Sequence, residues 1–324
     1  MAQYVVGIDL GGTKMRAGIV SLDEPDRVVS SGSTKTVRGD PEKGILALVV
    51  LVQELMEEAA QHRNTSLNKK TPLHRKTASS AAPGTLVAAG IGAPGPFDQS
   101  KQAFTAFANL PAWTGFPLGT RLSSALKVPV AMGNDANVAA IGEHRAGAGK
   151  GMKDLIYVTL GTGVGGAVIV GGQIHASRTG IAGEFGHVQV DPEGELCGCG
   201  KRGCLETIAS GTGIVRMYGA PARAAFRRAA RGEEKAVRVL QRAGEALGAG
   251  LSSAAIAVDP EAVIVGGGLA SGEPRAVRIL LEAAKASLWQ RMRMPGFSPI
   301  PFVKGALGDD AGILGAAHIA TELR

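Results

Sequence analysis

Three thiols and an imidazole stand close together in the chain: Cys197, Cys199 and Cys204 fall within one short loop, and His187 precedes them. One nitrogen and three sulfurs are the donor set of a closed tetrahedral zinc site, whose role is structural. An odd, tightly clustered set of cysteines is a poor disulfide framework. The C-x-C-G-x-x-G-C spacing has a use for its glycines, because turning three sulfurs onto one ion at about 2.3 Å leaves little room for side chains. A metal-bound imidazole keeps its other ring nitrogen for a ligand. Glu184, just before His187, and Glu206, just after Cys204, are expected to be carried toward His187 by the folded loop, where carboxylates accept protons from hydroxyl groups. Three core cysteines and two solvated surface acids are the alternatives.

Two glycine-rich turns offer a second kind of chemistry. Asp9-Leu10-Gly11-Gly12-Thr13-Lys14 does not fit G-x-x-x-x-G-K-[ST]. Gly161-Thr162-Gly163-Val164-Gly165-Gly166 has the glycines of a dinucleotide fingerprint, but Ala167-Val168-Ile169-Val170 continues it as strand where that motif must open a helix. What remains is a pair of strand–turn–strand loops whose N–H groups and hydroxyls can close on a polyphosphate, with Asp9 holding magnesium through water. Gly266, Gly267 and Gly268 form a third glycine cluster. Ordinary tight hairpins are the competing explanation of each turn alone. Asn134 and Asp135 follow a predicted strand, a usual place for ligand-binding residues in α/β proteins, and Asn-Asp is also a common turn pair.

The elements that must position these residues alternate. Tyr4–Leu10 and Met15–Val20 read as a hairpin, Leu155–Leu160 and Ala167–Val170 repeat its plan, and Leu86–Ile91, Val128–Met132 and Ala262–Val265 read as further strands. Helices are expected over Gly44–Ala60, Glu233–Val258, ended by Asp259-Pro260, and Ala311–Leu323. The result is an α/β chain of two sheet-containing domains. They are expected at 1–134, joined by the C-terminal segment 306–324, and at 135–305.

The 324 residues support about two domains. With 45% hydrophobic and 19% charged residues the chain is globular, and 4% aromatics supply few platforms for stacking bases. The net charge of +7 falls to +2 without the five cations of Gln61–Gly84, a polar segment expected to be a mobile solvated insertion. The apolar run Ile45–Val52 is far short of the roughly 20 residues of a membrane span, and no charged-then-apolar leader is expected. A cytoplasmic protein with no membrane or nucleic-acid partner is expected.

Asp9–Lys14, Asn134-Asp135-Ala136-Asn137, Gly161–Gly166, Gly183-Glu184-Phe185-Gly186-His187 and Cys197–Glu206 occur in the order of one family. On these stretches the chain resembles the sugar kinases of the ROK family (repressor, open reading frame, kinase) over nearly its whole length. The resemblance implies a two-domain actin-like ATPase (ribonuclease H-like) fold with a cleft that closes on the substrate. It implies transfer of phosphate from ATP, with Mg2+, to a hexose, glucose first, while N-acetylhexosamine, mannose and polyphosphate-dependent glucose kinases are neighbouring activities. It assigns Asp135 as general base and Asn134, Glu184, His187 and Glu206 as sugar ligands, with Gly95 and Asn109 beside the sugar. It assigns Asp9, Gly11, Gly12, Thr13, Lys14, Gly161, Thr162, Gly163 and Gly266–Gly268 to the nucleotide, and His187, Cys197, Cys199 and Cys204 to structural Zn2+. A homodimer or homotetramer is implied by the same likeness. The family also contains sugar-sensing repressors, but with only eight residues ahead of Asp9 no helix-turn-helix is expected. The insertion and Phe97 after Pro96 depart from the family pattern.

Overall fold

The computed structural model describes residues 2–68, 84–98, 102–105, 110–175, 181–293, 295–296 and 298–323. In its first unit β1 (Gln3–Leu10) and β2 (Lys14–Ser21) form the expected antiparallel hairpin, with Leu10 opposite Met15. β3 (Glu24–Lys35) pairs with the outer side of β2, ending with Lys35 opposite Lys14. The chain then enters α1 (Pro41–Asn68), returns as β4 (Thr85–Ala93) parallel to β1, and makes a small ribbon of β5 (Phe97–Asp98) and β6 (Ala103–Phe104). After α2 (Leu118–Leu126), β7 (Val130–Asn134) joins β4 in parallel and runs straight into α3 (Asp135–Ala146). The sheet order is β3-β2-β1-β4-β7.

α1 extends past the helix expected from sequence, so the start of the supposed insertion is helical. Residues 61–70 contain neither glycine nor proline, so nothing in the local backbone stops the helix at Ala60. Residues 69–83 of that segment lie outside the described residues.

The second unit repeats the plan. β8 (Leu155–Leu160), β9 (Val164–Val170) and β10 (Gln173–Ile174) are antiparallel. The glycine turn is thus Gly161–Gly163, shorter than expected, because the β-branched Val164 already pairs with Leu160. α4 (Glu206–Ala209), α5 (Gly211–Tyr218), α6 (Ala222–Ala230) and α7 (Glu234–Val258) follow, then β11 (Ala262–Gly266) parallel to β8. Gly266 ends β11, and Gly267 and Gly268 of the third glycine cluster open the one-turn helix α8 (Gly267–Ala270). α9 (Pro274–Met292) and β12 (Phe302–Lys304), parallel to β11, complete the order β10-β9-β8-β11-β12. Leu160, Leu205, Leu247, Leu251, Leu280 and Leu288 belong to one buried core.

α10 (Ala311–Thr321) belongs to the first unit, which comprises Met1–Ala146 and Asp310–Arg324; the second is Gly147–Asp309. The division falls at the end of α3, where the sequence placed it at residue 134, because α3 packs on α10. α10 lies against β1 and β4 so closely that both strands need glycine there. A Cβ on Gly7 would stand 1.9 Å from the Ile313 carbonyl oxygen, and one on Gly90 1.8 Å from that of Ala316. Among the described residues no helix is long and apolar enough to cross a membrane.

Candidate active site

At the β7–α3 junction the side chain of Asn134 caps the helix. Its Oδ1 accepts the N–H groups of Ala136 (2.9 Å) and Asn137 (3.2 Å), satisfying donors that the first helical turn leaves unpaired. Its Nδ2 donates to the carbonyl of Gly95 over a long 3.5 Å. Gly95 sits at φ 108°, a conformation that residues with side chains rarely adopt, so glycine fixes the turn after β4. Asp135 is the first residue of α3, where a negative charge is favoured by the helix dipole, and its Oδ1 accepts the N–H of Ala136 at 2.8 Å. The structure therefore brings Gly95, Asn134 and Asp135 together. Asn109 lies outside the described residues.

The first glycine turn is held from behind. Gly11 N–H donates to the Lys14 carbonyl (3.0 Å), while the carbonyls of the turn face the segment after β3. Thr36 donates its hydroxyl to Gly11 O (2.6 Å) and its N–H to Thr13 O (3.1 Å), and Arg38 donates Nε–H to Gly12 O (2.9 Å). Among the described residues no backbone or side-chain acceptor claims the N–H of Gly12 or Thr13. Pinning the acceptors on one side leaves donors for an anion on the other. Asp9, next to last in β1, stands beside α10: a Cβ on Gly312 would lie 3.4 Å from its carboxyl carbon. Arg16 and Asp310 form an ion pair of 3.5 Å in the same neighbourhood.

The second turn is built the same way. Gly211 N–H donates to Gly161 O (2.8 Å), and the Thr212 hydroxyl donates to Thr162 O (3.0 Å). Val164 N–H donates to Glu206 Oε2 at 3.0 Å, and a Cβ on Gly163 would stand 2.3 Å from that oxygen. Glu206 thus sits on the glycine turn, and Glu184 lies near His187, with Oε2 3.9 Å from Nε2.

The other ring nitrogen of His187 faces sulfur: Nδ1 is 3.6 Å from Cys197 Sγ, and Cys199 Sγ is 3.6 Å from Cys204 Sγ. One donor atom from each of these residues lies within 4.8 Å of every other. Burial, together with the neighbouring thiols Cys199 and Cys197, pushes the Cys204 thiol up to about 12. The backbone N–H of Lys201 pulls the Cys199 thiol below its ordinary value against desolvation. Crowded thiols cannot all ionise without a cation among them.

The sequence matches the ROK family over residues 5–323. The chain belongs to the ROK family. Among its ROK relatives are a glucokinase of Streptomyces coelicolor, 33% identical over 98% of this chain and 97% of that protein, and an N-acetylmannosamine kinase of Shigella boydii, 31% identical over 97% of each. A solved ROK family glucokinase from Streptomyces griseus, in complex with glucose and AMPPNP, is 32% identical with a TM-score of 0.77, covering 98% of this chain and 99% of that one. The actin-like ATPase fold is thereby shared with a ROK kinase.

The motif residues of this ROK protein were legible in its sequence, but the residues that hold the turns were not. Thr36, Arg38, Gly211 and Thr212 act on backbone carbonyls far away in the chain, which no local spacing announces.

Proposed function

We propose that this protein is an ATP-dependent glucokinase that moves the γ-phosphoryl group of ATP to a hydroxyl of glucose. The observation that carries this reading is the twinned construction of the two glycine turns, each with its carbonyls tied back, which suits a polyphosphate better than an ordinary hairpin would. Phosphoryl transfer asks the protein for positioning and charge stabilisation more than for covalent chemistry.

In this reading Asp135 takes the proton of the attacking hydroxyl as its oxygen bonds to phosphorus and the bond to the ADP oxygen breaks. Asn134, locked by its capping bonds and by Gly95, holds a neighbouring hydroxyl. Glu184, Glu206 and the outer nitrogen of His187 accept or donate to the remaining hydroxyls. The turns Gly11–Lys14 and Gly161–Gly163, with Gly266–Gly268, receive the nucleotide. Magnesium, when bound, would neutralise phosphate charge, and Asp9 would hold it through water.

His187, Cys197, Cys199 and Cys204 fit zinc. A tetrahedron with metal–sulfur bonds of about 2.3 Å has edges of about 3.8 Å, close to the 3.6 Å between the Cys199 and Cys204 sulfurs. The ion would fix the ring of His187 and its tautomer, so that Nε2 faces Glu184 and the sugar.

Initial-rate kinetics across glucose, mannose, N-acetylglucosamine and N-acetylmannosamine test the choice of hexose. Glucose should give the highest kcat/KM with Mg·ATP. A higher value for N-acetylmannosamine would assign the protein to the activity named for its Shigella relative.

A further inference from the structure

The first glycine turn carries more positive charge than its motif explains. In the β2–β3 ladder Lys14 and Lys35 are direct partners, both exposed, on antiparallel strands where like charges opposite one another are destabilising. Arg38 stands three residues further on, also exposed, with its Nε committed to the carbonyl of Gly12. Among the described residues none of these three cations is in an ion pair.

The two acids that follow Arg38 are engaged elsewhere. Asp40 accepts the N–H of Lys43 and pairs with its ammonium at 3.3 Å, which holds the Asp40 carboxyl below its ordinary range. Glu42 pairs with Arg121 at 2.6 Å. The fold therefore gathers three cations around a turn whose Gly12 and Thr13 N–H groups are left for an anion, and it assigns the carboxylates at the start of α1 to other partners.

The segment that bears Arg38 is also fixed. Thr36 is bonded to the turn at both its N–H and its hydroxyl, the buried Trp113 donates its indole N–H to Val37 O at 3.0 Å, and Asp40 caps α1 by accepting the N–H of Lys43. An arginine anchored through Nε still has four N–H donors on its two terminal nitrogens. A free solvated arginine pays side-chain entropy when it meets an anion, and an anchored one pays less.

We propose that Lys35 and Arg38 complete the Gly11–Lys14 turn as a phosphate clamp, contacting the polyphosphate chain of the nucleoside triphosphate donor. Arg38 does so through the guanidinium nitrogens that Gly12 leaves unengaged. The clamp rests on the reading of that turn as a phosphate loop.

Titration calorimetry with Mg·AMPPNP and with AMP, on the full chain, tests the clamp in Arg38→Gln, Arg38→Lys, Lys35→Gln and the turn variant Thr13→Val. Arg38→Gln should weaken AMPPNP about tenfold or more, as loss of a charge-assisted contact does, and change AMP within about twofold. Lys35→Gln should act in the same direction, and both variants should flatten the salt dependence of AMPPNP binding. Arg38→Lys, which keeps the charge and loses the anchor, should fall between wild type and Arg38→Gln. If Arg38→Gln and Lys35→Gln bind AMPPNP like wild type while Thr13→Val binds it weakly, the clamp is wrong and the loop reading stands. If Thr13→Val is also unaffected, the clamp is wrong and the Thr13 hydroxyl takes no part in binding. Equal weakening of AMP and AMPPNP by Arg38→Gln likewise overturns the clamp. All three positions are exposed, so the four variants should fold, and matching thermal melts will check that.

Discussion

His187 turns its two ring nitrogens to different neighbours, Nδ1 to the Cys197 sulfur and Nε2 to Glu184, and in the proposed reading this division ties the zinc ligands to the sugar ligands. Elemental analysis of protein purified without chelator should find about one zinc per chain. Cys204→Ser, which removes a fully buried donor, should lose the metal, lower the melting temperature and raise the KM for glucose. A metal-free wild type with undiminished activity would contradict this. At this scale the sequence reveals residues whose type and spacing already define a chemistry: three cysteines, a histidine, paired Asn-Asp. It conceals the direction of a side chain: nothing in the spacing announces that Glu206 accepts the N–H of Val164 on the second glycine turn. It also conceals roles exerted on main-chain carbonyls, as with Thr36 and Arg38.

β1 and β4 carry glycine where α10 crosses them, and the crossing sets the end of β1, where Asp9 stands, against the start of the helix. Gly90→Ala should destabilise the protein by about 3 kcal/mol, the upper end of overpacking, because the obstructing atom is a main-chain oxygen that cannot rotate away. Urea denaturation checks this: the midpoint should fall clearly, and an unchanged midpoint would mean that α10 does not lie where the structure puts it. Strands with continuous apolar runs, such as β1, β4 and β8, were legible from composition, as was the long alanine- and leucine-rich α7. β3 was missed because its Glu24–Lys35 stretch is mostly polar and lies at the sheet edge, where one face meets water. α3 was hidden because Asn-Asp reads as a turn, and here that pair is the cap and first residue of a helix.

The two units share one sheet plan, an antiparallel hairpin whose inner strand is joined by parallel strands, and each places a glycine turn at the tip of its hairpin. The repeat was visible in sequence because each copy opens with the same strand–turn–strand pattern. The boundary was not, since α3 continues the chain after the motif without any change of composition and is claimed for the first unit only by packing on α10. For the molecule as a catalyst, the claim on which the rest depends is that Asp135 removes a proton from the sugar. Paired measurement of glucose binding and Mg·ATP turnover in Asp135→Asn tests it most directly. The variant should bind glucose within a few-fold of wild type and lose about 10²–10⁴-fold in kcat, the span of general-base catalysis; turnover at the wild-type rate would contradict the assignment.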